Sequence, residues 1–223
     1  MNQDRIFEEI EGNAWFKRNK DVITNAKTPD FPSYLVEMIE DKSSIETVLE
    51  LGCSNGFRLD YLRRSNCGSR FVGVDCSIEA LEDGRNRYPK VEFYKGLLTD
   101  LPFESQFDLV IINLVLCWVS RDTLARSIAE IDRVIKDGGF LVIGDHFSDY
   151  PQRRRYHHNL EEEIYTYKLN YGNIFEALGT YKELARITYN HDQPKRCVQV
   201  AESSKRAVCM LLKKSLHDYY PEV

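Results

Sequence analysis

The stretch Val48-Leu49-Glu50-Leu51-Gly52-Cys53-Ser54-Asn55-Gly56 decides how the rest of the chain is read. A short apolar run carries an acid and breaks into a turn with two glycines. Behind the turn, Phe57 to Arg64 reads as a helix with Leu59 and Leu62 on one face. Strand, tight glycine turn and helix is the layout in which a backbone comes close to a nucleotide-like ligand. Gly52 admits a φ that other residues resist, and Gly56 removes a side chain where a ligand could lie against the main chain. A Gly-x-x-x-Gly turn is weak evidence alone; the next strand must supply the matching acid.

It does so in Arg70-Phe71-Val72-Gly73-Val74-Asp75-Cys76-Ser77, a second strand ending in Asp75. That acid follows the first glycine by about 20 residues, the separation expected of a carboxylate that accepts hydrogen bonds from a ribose. The alternative is an acid capping the next helix, but Ser77 is available for that task.

With these residues in place, Glu50 to Gly56 resembles the first motif of class I S-adenosylmethionine-dependent methyltransferases, acid-x-Gly-x-Gly-x-Gly, with Ser54 in place of the middle glycine. A dinucleotide dehydrogenase would want Gly-x-Gly-x-x-Gly, and positions 54 and 57 are Ser and Phe. The resemblance continues through Lys95-Gly96-Leu97-Leu98-Thr99-Asp100-Leu101-Pro102-Phe103 and Phe107-Asp108-Leu109-Val110-Ile111-Ile112-Asn113. It ends with Arg133 to Ile143, so that it covers roughly residues 45 to 147. A narrower likeness, to bacterial methyltransferases of surface-glycan or other specialised biosynthesis, rests on Gly12 to Asn19, Asp145-His146-Phe147 and Thr166 to Tyr171.

The resemblance implies an α/β fold: a doubly wound, mostly parallel seven-stranded sheet, Rossmann-like, with an N-terminal helical lid and an insertion after strand five. It implies S-adenosyl-L-methionine as cofactor and S-adenosyl-L-homocysteine as product. Asp75 then holds the ribose hydroxyls, Gly52 to Gly56 pass beneath the methionine part, and Glu50 sits near its ammonium group. Cys53, Ser54 and Cys76 lie in the cofactor loops. Leu97 and Leu98 stand beside adenine, where the family usually has an acid. Asn113 faces the methionine end, and Arg18 of the lid pairs with the methionine carboxylate. His146, past strand five, is the candidate base; Tyr167, Lys168 and Tyr171 are acceptor-side candidates.

The whole chain is expected to form one methyltransferase domain, with residues 1–41 as lid, 45–147 as cofactor-binding core, 148–180 as acceptor-side insertion and 181–223 as late strands. Within the lid, Ile6, Phe7, Ile10 and Ala14 recur at helical spacing. Thr28 to Ser33 is a break, followed by a helix over Tyr34 to Glu40. Strands are expected at Thr47–Leu51, Phe71–Asp75, Val91–Tyr94, Leu109–Asn113 and Phe140–Gly144. Helices fall at Ile78–Arg87 and Asp122–Lys136, the latter stopped by Gly138-Gly139. Residues 148 to 180 show little periodicity, and two late strands follow near 182–190 and at Ala207–Leu212. Alternating strands and helices imply parallel βαβ units.

The 223 residues suit one domain. A net charge of −5 gives no global reason to expect a nucleic-acid partner. The basic run Arg153-Arg154-Arg155 is offset by Glu161-Glu162-Glu163. No apolar run has the length of a membrane span and the first residues lack a signal-peptide core, so the expected place is the cytoplasm. Cysteines 53, 67, 76, 117, 197 and 209 form no Cys-x-x-Cys, and no metal site is expected. The leading expectation is methyl transfer to an oxygen or nitrogen of a small-molecule acceptor. Nucleic-acid methylation and non-catalytic cofactor sensing are the alternatives; the acceptor and oligomeric state stay open.

Overall fold

The computed structural model describes residues 2–25, 29–104, 107–194, 200, 202–220 and 222. Thr28 of the expected break and Cys197 lie outside them. The chain starts with α1 (Gln3–Ile6), a π-helical turn at Phe7–Glu11 and α2 (Gly12–Thr24). Next comes α3 (Phe31–Glu37), three residues before the expected start. Asp30 accepts the Ser33 N–H at 3.1 Å, and Pro32 fits a first turn that has no use for its missing donor.

Strand β1 (Thr47–Leu51) leads through the glycine turn into α4 (Phe57–Arg64), and β2 (Arg70–Asp75) leads into α5 (Ile78–Arg87). Then come β3 (Glu92–Lys95), β4 (Phe107–Asn113), α6 (Leu124–Arg133) and β5 (Ile135–His146). The glycines expected to end the helix lie inside β5, where Gly138 has φ +79°. The β4–β5 register shifts beside them, between Phe107 and Leu109.

Residues 148–180 are more regular than their composition indicates. Strands β6 (Gln152–Arg155) and β7 (Tyr165–Lys168) pair antiparallel, and α7 (Gly172–Ala177) follows. The late strands β8 (Tyr181–Asn190) and β9 (Arg206–Lys214) form an antiparallel hairpin, and β9 also pairs with β5.

The main sheet runs β3-β2-β1-β4-β5-β9-β8, with β1 to β5 parallel and the last pairings antiparallel. Alternation along the strands builds a core on each face. Leu49, Leu51, Val72, Val74, Val110 and Ile112 join one cluster, and Val48, Phe71, Leu109 and Ile111 the other. A sheet buried on both faces explains why β4 reads as almost wholly apolar. Strand order reverses beside β1, which lies between β2 and β4. In such sheets the crevice forms beyond the carboxyl ends at that reversal.

Candidate active site

The carboxyl ends of β1, β2 and β4 open into one cavity of about 410 Å³. Glu50, Gly52, Cys53, Ser54, Asp75, Cys76, Leu97, Leu98 and Asn113 all line it. Gly56 does not. It starts α4 at φ +76°, and a Cβ there would lie 2.7 Å from the Phe93 ring, so close packing of helix on sheet explains this glycine.

The loop after β1 needs left-handed backbone at alternate residues: Gly52 at φ +72°, Ser54 at +51° and Gly56 at +76°. Ser54 is a non-glycine in left-handed backbone, at the position where the resembled motif has its middle glycine. A Cβ on Gly52 would overlap Val115 Cγ2, so this position also needs the missing side chain. Cys53 packs on the bare backbone of Gly73 in β2, and burial pushes its thiol pKa well up.

Asp75 is held from both sides. Its Oδ2 accepts the Ser54 N–H at 2.8 Å and its Oδ1 accepts the Ser77 N–H at 2.8 Å. The cap of α5 is the Ser77 hydroxyl, which accepts the Ala80 N–H at 3.1 Å. Burial raises the Asp75 pKa above the usual carboxylate value, against the pull of the amide donors.

Glu50 belongs to a buried charge network that the sequence did not single out. One oxygen, Oε1, pairs with Arg58 Nη1. Arg58 also donates to Asp30 Oδ2 through Nε at 2.9 Å and Nη2 at 2.6 Å. Burial would raise the Asp30 pKa, but the Arg58 charge and hydrogen bonds, with the Ser33 donors, bring it below the usual value. Arg58 is the second residue of α4, two past Gly56; only this proximity to Glu50 in sequence hinted at the pairing.

Four buried polar atoms on the cavity residues have no partner among the described residues: Glu50 Oε2, Ser54 Oγ, Asn113 Oδ1 and Ser127 Oγ. Buried polar atoms are normally satisfied, so these mark places for ligand atoms. The lining carries Asp4, Asp30, Glu50 and Asp75 against Arg58, four formal negative charges and one positive, or −3. Such a wall favours a cation carrying an ammonium group and hydroxyls. Leu97 and Leu98 add an apolar side. S-adenosylmethionine, with its sulfonium, ammonium, ribose diol and flat base, fits these residues.

The N-terminal helices form one wall through Phe7, Gly12, Trp15 and Asn19. They dock on the loop after β2: Asn13 Oδ1 accepts the Ser77 hydroxyl at 2.8 Å and the Glu79 N–H at 3.3 Å. A Cβ on Gly12 would lie 2.7 Å from Cys76 Sγ. Near the other end, Asp4 Oδ1 accepts the Ser120 N–H at 2.7 Å.

Arg18 is not among the lining residues. Its guanidinium pairs with Glu11 and donates to the Tyr156 hydroxyl at 2.7 Å, while that hydroxyl donates to Glu11 at 2.9 Å. The acid and phenol hold it and fasten the N-terminal helices to the segment that follows β6. His146 also lies off the cavity wall. It ends β5 opposite Ala207, 5% exposed, with its ring 4.6 Å from that of His191. Burial, then the neighbouring His191 and Lys168, pushes its pKa down to about 3, so the ring is neutral near pH 7.

The acceptor-side candidates lie outside the cavity lining too. Lys168 is buried and pairs with the Ser204 carbonyl; Tyr171 donates to the Tyr167 carbonyl at 3.0 Å and accepts from Arg121 at 3.0 Å. Arg121 also stacks on the Tyr167 ring, 4.1 Å from its centroid. The aromatic wall instead comes from Phe7 and Trp118, with ring centroids 5.4 Å apart. Trp118 follows β4 without periodicity, so no sequence signal marked it.

Comparison with known proteins matches residues 49–143 to the methyltransferase domain family. An uncharacterised methyltransferase of Synechocystis sp. is 36% identical over 101 residues, 45% of this chain and 47% of the relative. A phthiotriol/phenolphthiotriol dimycocerosates methyltransferase of Mycobacterium ulcerans is 30% identical over 102 residues, 44% of this chain and 36% of the relative. Each match spans less than half of the relative's length. Among solved structures, 1,6-didemethyltoxoflavin-N1-methyltransferase of Burkholderia thailandensis, with bound 1,6-didemethyltoxoflavin and S-adenosylhomocysteine, aligns at TM-score 0.67 and 16% identity. That alignment covers 95% of this chain and 88% of the other. An S-adenosylmethionine-dependent methyltransferase of Clostridium acetobutylicum aligns at TM-score 0.65 and 14% identity, covering 92% and 99%. These two likenesses establish the shared fold.

Proposed function

We propose that this chain, which carries a class I S-adenosylmethionine-dependent methyltransferase domain, transfers a methyl group to an oxygen or nitrogen of a small-molecule acceptor, in the class of sugar-bearing or specialised metabolites. The observation that carries the reading is the pairing of Asp75 with the unpartnered Glu50 Oε2 at the ends of adjacent parallel strands, in one cavity of net negative lining.

When bound, S-adenosylmethionine supplies a methyl group already activated on a sulfonium. The work left to the chain is binding, alignment and exclusion of water. Asp75, fixed by the Ser54 and Ser77 amides, presents its remaining lone pairs to the ribose hydroxyls. Glu50, braced by Arg58, presents Oε2 to the ammonium group. Asn113 Oδ1 stands at the end of β4 beside the reacting end. Phe7, Val115, Trp118 and Val119 give the acceptor an apolar wall and keep water out.

A small acceptor is supported by the size of the cavity, about 410 Å³, with the N-terminal helices as one wall. The Burkholderia neighbour holds a small molecule beside its S-adenosylhomocysteine. His146 does not enter this reading as base, because its ring lies beside His191 away from the lining. The test is transfer of isotope-labelled methyl from S-adenosylmethionine into fractionated small-molecule extracts. Label in a low-mass product, lost with Asp75→Ala, is expected; label only in RNA or DNA, or in nothing, overturns the proposal.

A further inference from the structure

Cys117 lies 28 residues before the Asp145-His146 pair that ends β5, yet the fold gathers the donor atoms of all three within 4.8 Å of one another. All three are buried, at 0%, 2% and 5% exposure. None lines the cavity. Among the described residues, His146 Nδ1 has no hydrogen-bond partner, an unsatisfied nitrogen in a place closed to bulk water. A structural histidine in the core would normally use both ring nitrogens or leave one at the surface.

We propose that these three side chains form a site for a thiophilic divalent cation of the zinc and cobalt class. The donor set is one sulfur, one nitrogen and one carboxylate oxygen, which selects such ions over magnesium or calcium. Bond lengths of about 2.0–2.3 Å in a tetrahedral site place donors roughly 3.3–3.8 Å apart. Side-chain rotation can close the remaining gap. A thiolate and a carboxylate carry two negative charges, matched by a divalent ion.

The surroundings already fix the donors. The Asp145 carboxylate accepts the Cys117 N–H at 3.1 Å through Oδ2 and the His146 N–H at 2.7 Å through Oδ1. Such outer hydrogen bonds orient a ligating carboxylate and leave lone pairs free. Cys117 sits in a 3-10 turn, Leu116–Trp118, and Arg121 clamps that turn by donating to the Leu116 carbonyl at 2.8 Å and the Val119 carbonyl at 2.6 Å. Its neighbours Trp118 and Val119 line the cavity. A bound ion would therefore tie the aromatic wall of the cavity to the end of β5, one layer behind the ligand. Release of the Cys117 proton accompanies binding, since thiolate is the ligand.

The test is a titration of the metal-free full chain with Co²⁺, followed by competition with Zn²⁺. The expected result is one equivalent bound, with a near-ultraviolet sulfur-to-cobalt charge-transfer band that Zn²⁺ abolishes. No such band in the wild-type chain overturns the site, whatever the variants do. Cys117→Ala should lose the band, and His146→Ala should weaken binding by at least about tenfold. Cys209→Ala, a buried cysteine outside the cluster, should keep it. A band that survives Cys117→Ala, or disappears only with Cys209→Ala, places the ion elsewhere and overturns the assignment.

Discussion

Asp75 Oδ2 accepts the backbone N–H of Ser54 at 2.8 Å, so the acid ending β2 is bonded directly to the glycine turn ending β1. The two features that the sequence offered separately are thus one unit. Moving the loop moves the carboxylate. The strained φ of +51° at Ser54 holds its amide toward that acid.

Removing the carboxylate tests this unit first. Asp75→Ala should weaken S-adenosylmethionine binding by about 1.5–3 kcal/mol, the value of hydrogen bonds to a charged group. The pH dependence has a definite sign. Burial raises the Asp75 pKa, and the ionised form is the one that accepts two ribose hydroxyls. Affinity should therefore fall as pH drops through that raised value, earlier than for an ordinary carboxylate. Without ligand, stability should fall as pH rises from the usual carboxylate value to the raised one, because the unfolded chain ionises first. Asp75→Asn should flatten both trends, measured by calorimetry and by urea unfolding across acid pH.

The Arg58 network makes a second prediction. Arg58→Met leaves Glu50, 1% exposed, without its counter-charge and should destabilise the fold by about 3–5 kcal/mol. Adding Glu50→Gln should recover part of that loss. Asp30, whose pKa Arg58 lowers, contributes stability present above its unfolded pKa and lost as pH falls through the folded one. Arg58→Met should thus remove that acid-linked loss, so the stability gap between wild type and variant narrows as pH falls through the carboxylate range.

Gly52 should tolerate no side chain. Gly52→Ala puts a Cβ onto Val115 Cγ2 in a left-handed backbone. The conformation alone costs about 1–2 kcal/mol. Gly52→Ala with Val115→Ala should restore the space but not the backbone cost, so the urea midpoint should recover only in part.

Much of this architecture was legible because it rests on local rules. The glycine turn, the Ser77 cap and the apolar β4 each announce themselves within a few residues. Leu59, Leu62 and the alternation of β1 and β2 specify which faces are buried. The unread parts depend on distant partners. Arg18 looked free for a ligand because nothing near it in sequence shows Tyr156, 138 residues away. In sequence His146 reads as a candidate base past strand five, yet it belongs to β5, where β9 and His191 cover it. The β6–β7 pairing escaped notice because β6 carries a run of three exposed arginines and β7 places its charge, Lys168, at a buried position, which hides the period of two.

The lid latch should be measurable through its phenol. Tyr156→Phe removes a donor to Glu11 and an acceptor for Arg18, leaving a buried acid less satisfied. A loss of about 1–3 kcal/mol is expected. Hydrogen exchange in residues 3–24 should rise more than exchange in β1 or β4.

Calorimetric titration of the wild-type chain with S-adenosylmethionine and S-adenosylhomocysteine tests the central claim most directly. Both should bind at one site per chain, and Asp75→Ala should weaken both. Absence of heat and of competition for either compound, or affinity indifferent to Asp75→Ala, would contradict it.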